Sequence, residues 1–375
     1  MAAFVNKRRL FFFALCYNPF IQKFFTQFII HSRERCILFS KKFIASVLVF
    51  VLCFSPMAMA SVYEGQRVRI VIGSTAVSGD SYMTADIVNR YLQKYLKCSS
   101  KVDPIGANEA FATIKSAAPD GMTFMIFHDM TYLGVLFGSY GPEYDLENMV
   151  IGPRVGQNPG SCFAAKKNAP YKDMKELAEW LKADSSRTVR LSVELGSVSN
   201  LGFVIYYVWL KNTYGENVAN QMRFVLGGST DTKLQQLWDN NADVIFGDYS
   251  SFLQYTAEGV DEQLALKYVG IMDKVPGRDD LPVYGDMGIT MDGTPVYFSK
   301  DFLIYLPKGT PDEVVKELDE AVAKMQADPD YQSDMAKMTY AAKTLPSKEA
   351  KDFIYAKRDA IKKVLSEAPN IEDLE

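Results

Sequence analysis

Val68-Arg69-Ile70-Val71-Ile72-Gly73-Ser74-Thr75-Ala76-Val77-Ser78-Gly79-Asp80 decides how this chain reads. Val68, Ile70, Val71 and Ile72 predict a buried strand, and Gly73 to Asp80 a loop of small residues. A helix follows, because Ile87/Val88, Tyr91/Leu92 and Tyr95/Leu96 fall on one apolar stripe. Ser78 or Asp80 can cap its first turn. A small-residue loop that ends at a helix N-terminus presents free backbone N–H groups and the positive end of the helix dipole. Such a place suits an anion and needs no lysine or arginine. A plain βα turn with a good cap has the same appearance. The stretch contains neither GxGxxG nor GxxxxGK[ST], so it points to neither a dinucleotide nor a P-loop nucleotide.

Working outward, strand and helix patterns alternate. Lys101–Pro104 is a short strand or extended turn, Glu109–Ala118 a helix, Pro119-Asp120-Gly121 a turn, and Met122–Phe127 a buried strand. His128, Asp129 and Met130 follow the carboxyl end of that strand. The alternation predicts parallel, doubly wound sheets, in which ligands sit beyond the carboxyl ends of the strands. Ser161–Lys166 is a strand that could cross between two lobes, and Tyr171–Ala183 an amphipathic helix. A second strand, small-residue loop and helix then appears in Val189–Leu195, Gly196 to Asn200 and Leu201–Tyr214. Two such units suggest two similar lobes, each offering a helix N-terminus to one cleft, although packing alone can repeat the unit. Met222–Leu226, Ala242–Gly247 and Leu266–Met272 are further strands. Helices are expected at Thr232–Asn240 and Ser251–Glu258. Val296-Tyr297-Phe298 and Phe302–Leu306 are extended runs, one of which could cross back. The tail is helical over Pro311–Ala327, Pro329–Met338 and Ser347–Leu365.

Residues 1–60 differ in composition. Lys41 and Lys42 precede the apolar run Phe43–Phe54, and Ala58-Met59-Ala60 closes the segment. A positive region, a short apolar region and an A-x-A site predict a cleavable secretory signal peptide, cut before Ser61. This segment holds eight of the chain's 41 basic residues and one of its 45 acidic ones, so the remainder carries a net charge of −11. That balance argues against nucleic acid or an anionic membrane surface as a partner. Cys98 and Cys162 are the cysteines of the remainder and His128 its one histidine. One disulfide is possible there, but Cys98 sits at a helix end and Cys162 near a lobe crossing, which disfavours pairing. Spacing builds no metal cluster, and no metal or cofactor is expected.

These residues resemble the periplasmic solute-binding proteins of tripartite tricarboxylate transporters. The likeness spans Tyr63 to Lys363. It rests on the order and spacing of four signatures: Val68–Gly79, Ala117-Ala118-Pro119-Asp120-Gly121-Met122-Thr123, Gly227-Gly228 with Leu237 to Asp243, and Leu306-Pro307-Lys308-Gly309-Thr310-Pro311. The resemblance implies an α/β, two-lobed Venus-flytrap fold, each lobe a doubly wound sheet, with lobe 1 from 61–160 plus 297–375 and lobe 2 from 161–296. It implies a monomeric, non-enzymatic receptor that captures a small organic carboxylate between the lobes and delivers it to membrane permease subunits. Carried onto this sequence, the contacts are Ser74, Thr75, Ser78, Gly79 and Asp80 on one side. On the other they are Ser197, Ser199 and Asn200, with His128, Asp129, Met130, Gly247 and Asp248 after strands. The first loop departs from the family's proline- and glycine-rich form, the second lacks its frequent histidine, and the acid at Asp248 is shifted by one.

The residues themselves leave choices open. Ser74, Thr75, Ser78, Ser197, Ser199 and Asn200 can hydrogen-bond a carboxylate or simply cap helices. Asp129 and Asp248 repel a carboxylate unless water intervenes or the ligand carries an amine or hydroxyl. Tyr132, Phe203, Tyr249 and Phe252 suit core packing better than a ligand wall. A ligand-sensing partner of a membrane signalling protein would use the same cleft. A secreted hydrolase would need a nucleophile beside a base, and no GxSxG motif occurs.

Overall fold

The computed structural model describes residues 61–77, 79–369 and 374. The expected signal peptide and Ser78 lie outside the described residues. The run that opens the chain forms strand β1 (Arg67–Ile72), whose Ile70, Val71 and Ile72 are fully buried. Gly79 leads into helix α1 (Asp80–Leu96), which buries Ile87, Val88, Tyr91, Leu92 and Leu96, the expected stripe. Asp80 does not cap it: the N-cap residue is Gly79, and Asp80 is the first helical residue.

Strands β2 (Ser99–Pro104) and β3 (Thr123–Phe127) flank β1 in parallel, with helix α2 (Ala107–Ser116) between them in the chain. Helix α3 (Met130–Leu136) follows β3. Strand β4 (Met149–Asn158) completes this sheet only together with β12 (Lys300–Pro307), which returns late in the chain and is buried throughout. The order is β2-β1-β3-β12-β4, with β12 antiparallel to both neighbours.

The second sheet repeats the arrangement. It is built from β5 (Ser161–Lys166), β6 (Val189–Val193), β7 (Met222–Leu226), β8 (Val244–Asp248) and β9 (Leu266–Ile271), in the order β7-β6-β8-β5-β9. Here β5 is antiparallel to β8 and β9. Both sheets are therefore mixed, a correction to the parallel sheets expected from the alternation. Three strands of each follow the βαβ rule. The other two are set by segments that pass from one sheet to the other, from β4 to β5 and from β9 to β12, so their direction depends on distant pairing. A two-residue hairpin of β10 (Thr290–Met291) and β11 (Thr294–Pro295) lies on the second of those passages. The run Val296-Tyr297-Phe298 forms no strand.

Helices α4 (Met174–Lys182), α5 (Val198–Tyr214), α6 (Glu216–Ala219), α7 (Thr230–Trp238) and α8 (Tyr249–Thr256) belong to the second sheet's part of the chain. Helix α5 buries thirteen consecutive residues, Val198 to Leu210, which is why its sequence is apolar all round. Helices α9 (Asp312–Gln326), α10 (Pro329–Lys337) and α11 (Ser347–Leu365) close the described chain. Tyr132, Phe203, Tyr249 and Phe252 are buried core residues, as their sequence context suggested. Cys98 and Cys162 are both free thiols. Among the described residues no helix is long and apolar enough to cross a membrane.

Candidate functional site

A cavity of about 490 Å³ opens where the carboxyl ends of the two sheets' strands face each other. Ser74, Thr75, Gly79 and Asp80 line it from the β1–α1 loop, His128 and Met130 from the end of β3. From the second sheet come Ser197 and Ser199 at the start of α5, and Gly247 and Asp248 at the end of β8. Ten of the thirteen sequence-selected residues thus converge on one wall or the other. Its size suits a small-molecule ligand.

Two selected residues do not line it. Asp129 is fully buried in a separate ion cluster. Its carboxylate accepts from the Tyr132 hydroxyl at 2.7 Å and from the Asp301 backbone N–H at 2.7 Å, and pairs with Lys357 of α11. Lys357 also reaches Asp301 at 2.6 Å, and Asp301 in turn pairs with Arg154 at 2.8 Å. Asp129 therefore fastens the last helix to the first sheet. Asn200 is also fully buried, away from the cavity, and neither of its amide atoms has a hydrogen-bond partner among the described residues. Ser78 lies outside the described residues.

The serine hydroxyls are mostly committed to their own loops. The Ser197 Oγ accepts from the Ser199 N–H at 3.1 Å and donates to the Glu194 carbonyl at 2.8 Å, while Ser199 Oγ accepts from Glu194 N–H at 2.8 Å. Ser74 Oγ accepts from the Ala76 N–H at 3.2 Å. Capping and turn formation thus account for these side chains, and what the second loop leaves open is backbone. No described residue accepts from the N–H of Val198, which lines the cavity in the first turn of the 17-residue α5.

The two lysines and Glu194 are the part that the sequence did not single out, whereas it did select Asp80 and Asp248. Lys300, at the start of β12, donates to Asp80 Oδ2 at 2.7 Å and to Asp248 Oδ1 at 2.9 Å. One lysine thus joins a carboxylate from each sheet's side of the cavity. Asn158, at the end of β4, donates to the same Asp248 oxygen at 2.9 Å. Both passages between the sheets supply a donor to this bridge. Burial pushes the Asp80 carboxyl up, but the charge of Lys300 outweighs it and holds the group at about 2. Burial and the neighbouring Asp80 charge raise Asp248. Burial alone would lower Lys300, yet the two carboxylates leave it raised. Lys233 of α7 and Glu194 after β6 also line the cavity. Burial depresses the Lys233 ammonium and raises the Glu194 carboxyl.

His128 is buried between the rings of Phe127 and Phe302, at centroid distances of 4.6 and 5.4 Å. Its Nδ1 accepts from the Met130 N–H at 3.3 Å, which leaves the proton on Nε2. Burial pushes the imidazole down to about 3, so it is neutral at physiological pH.

The signal that could have found Lys233 is its place in the apolar stripe of α7, four residues before Leu237. A charge on a buried stripe needs a reason. Nothing local links Lys300 to Asp80, 220 residues away. Among the described residues no group of acidic, histidine or cysteine side chains could hold a metal ion.

No protein-family model matches the chain, and no curated protein matches it in sequence. Solved structures do match it in fold. A structure described as a periplasmic transporter is 19% identical with a TM-score of 0.63, over 81% of this chain and 97% of that one. MatC from Rhodopseudomonas palustris, solved with bound malate, is 19% identical with a TM-score of 0.60, over 79% and 99%. Another R. palustris protein, solved with adipate, is 15% identical with a TM-score of 0.64, over 80% and 96%. A TctC solute-binding protein from Polaromonas is 14% identical with a TM-score of 0.60, over 81% and 99%. The chain has the fold of these solute-binding proteins, and the resemblance read from its sequence is borne out at that level.

Proposed function

We propose that this chain is an extracytoplasmic solute-binding receptor. It captures a small organic carboxylate in the cavity between its two sheets and delivers it to a membrane permease. The observation that carries this reading is the convergence of strand-end loops from both sheets, and of the N-termini of two 17-residue helices, on one cavity of about 490 Å³. At the start of α5 that convergence gives an anion a backbone donor, with Lys233 lining the same cavity. The fold neighbours solved with malate and adipate support the ligand class. In this reading lobe 1 comprises 61–160 and 297–375, lobe 2 comprises 161–296, and the two passages between the sheets act as the hinge. The leader in residues 1–60 directs export to the periplasm, where the receptor works as a monomer without cofactor.

Thermal unfolding of the purified protein against mono-, di- and tricarboxylates and aromatic acids tests the reading. A true ligand at one hundred times its dissociation constant adds about 2.7 kcal/mol of stability. A concentration-dependent rise in midpoint with at least one acid is expected. A flat response to every acid would overturn the carboxylate assignment.

A further inference from the structure

The charges of the cavity narrow the ligand class, and this step rests on the receptor reading above. Three acidic side chains, Asp80, Asp248 and Glu194, share the cavity with two lysines, Lys300 and Lys233. The formal sum before any ligand enters is negative. His128 adds no charge, since its Nδ1 accepts a backbone N–H.

The two helix N-termini are not alike. At α1 the anion's place is held by the chain's own Asp80, whose Oδ1 accepts from the Ser81 N–H at 2.8 Å while Oδ2 takes Lys300. That wall therefore presents a carboxylate. Lys300 is shared between its two acids, and the second oxygen of Asp248, Oδ2, receives no hydrogen bond from any described residue. The second sheet's side carries Asp248 and Glu194 as well, and with them the cavity's other lysine. Lys233 is 5% exposed and lines the cavity, and its ammonium makes no hydrogen bond or ion pair with any described residue, Glu194 being the acid whose charge acts on it most. A buried ammonium without a partner is costly to keep, and an anion arriving beside it removes that cost. It stands with the unbonded Val198 N–H of α5 on the same sheet's side.

We infer that the solute carries an ammonium group as well as a carboxylate, the carboxylate meeting Lys233 and the start of α5 and the ammonium meeting the Asp80–Asp248 pair. The ligand class is an amino acid or another short zwitterion rather than a dicarboxylate. A zwitterion leaves the charge of the cavity unchanged. A dicarboxylate would set its second carboxylate against two acids whose one lysine is already shared between them.

Calorimetric titration of the purified protein at pH 7.5 with matched pairs tests this. The pairs are succinate with aspartate, glutarate with glutamate, and glutarate with 5-aminopentanoate; 1,5-diaminopentane serves as the diamine. In at least one pair the aminated member should bind ten-fold or more tightly than its partner. Asp248→Asn should weaken that ligand at least ten-fold and leave the dicarboxylate unchanged or tighter. Asp80→Asn, which keeps the shape of the side chain, should act in the same direction. A dicarboxylate that binds more tightly than every aminated counterpart overturns the inference and leaves the carboxylate receptor standing. So does an Asp248→Asn variant that weakens both members of a pair equally, because the acids then serve only to join the lobes. Binding of the diamine alone overturns the carboxylate reading and this inference with it, and binding of none of these compounds overturns this inference.

Discussion

His128 is the residue whose protonation should be felt most directly. Its imidazole is buried against two aromatic rings and bonded through Nδ1 to the Met130 N–H, which a protonated ring cannot accept. Burial drives its pKa down from 6.5 to about 3; Asp80 opposes the shift, and Lys300 and Lys357 add to it. A group whose folded value lies below its unfolded value, and which is neutral when deprotonated, gives the unfolded chain the first proton as pH falls. Stability contributed by the neutral ring is thus intact above about pH 6.5 and is lost progressively on acidification toward pH 3. Each pH unit in that window is worth about 1.4 kcal/mol, so the loss reaches about 2 kcal/mol by pH 5. His128→Gln keeps a polar side chain that cannot titrate. In urea denaturation, the stability difference between wild type and variant should shift by about 2 kcal/mol between pH 7 and pH 5, against the wild type. An unchanged difference would show that the ring is accessible to protons in the native state.

At the scale of elements, one strand end in each sheet depends on a glycine that admits an aromatic ring. A Cβ at Gly73, just past β1, would fall within the ring of Phe127, and one at Gly247, in β8, within the ring of Phe252. At Gly73 the chain leaves the end of β1 against the ring of Phe127. Gly73→Ala should cost about 2 kcal/mol, as over-packing typically does. Gly79→Ala, with nothing within 4 Å of the added carbon, should cost far less. Equal urea midpoints for the two variants would refute this account of the loop. Such elements were largely legible in the sequence. Ser161–Lys166, Met222–Leu226 and Ser347–Leu365 have the boundaries that apolar runs and turn residues indicate. Lys300 was not, because β12 starts with Lys300 and Asp301, two charged residues ahead of its apolar run. They are buried only because partners from β4, β8, α1 and α11 meet them there. Likewise the antiparallel placing of β12 and β5 depends on pairing with strands far away in the chain. Local patterning encodes which residues are buried, not which distant residue completes them. The same reason misplaced Asp129, whose position after β3 looked like a ligand contact but whose partners, Asp301 and Lys357, come from the last quarter of the chain.

On the scale of the whole molecule, the bridge of Lys300 to Asp80 and Asp248 is where the two sheets' sides of the cavity are held together. Asp80 begins the helix after β1, Asp248 ends β8, and Lys300 and Asn158 stand at the ends of the two passages between the sheets. All three ionised groups are largely buried, at 7% for the lysine side chain and 14% for each acid. Removing the lysine would leave two carboxylates facing each other with only Asn158 between them. Breaking a buried ion pair by deleting one partner costs about 3–5 kcal/mol, because the remaining charge stays desolvated. Lys300→Met, which keeps the length of the side chain, should therefore lose about 3 kcal/mol or more at pH 7.5. Two carboxylates without their cation each have a raised folded-state pKa, so the native state takes up protons more readily than the unfolded one. The penalty should shrink as pH falls from 7.5 to 5. Repulsion between the acids also pushes the two sheets' ends apart, so X-ray scattering of the variant at pH 7.5 should give a larger radius of gyration than wild type, and a wild-type value at pH 5. If the variant matches wild type in both stability and radius at pH 7.5, the bridge does not hold the cavity closed, and the shared lysine is a consequence of packing rather than its cause.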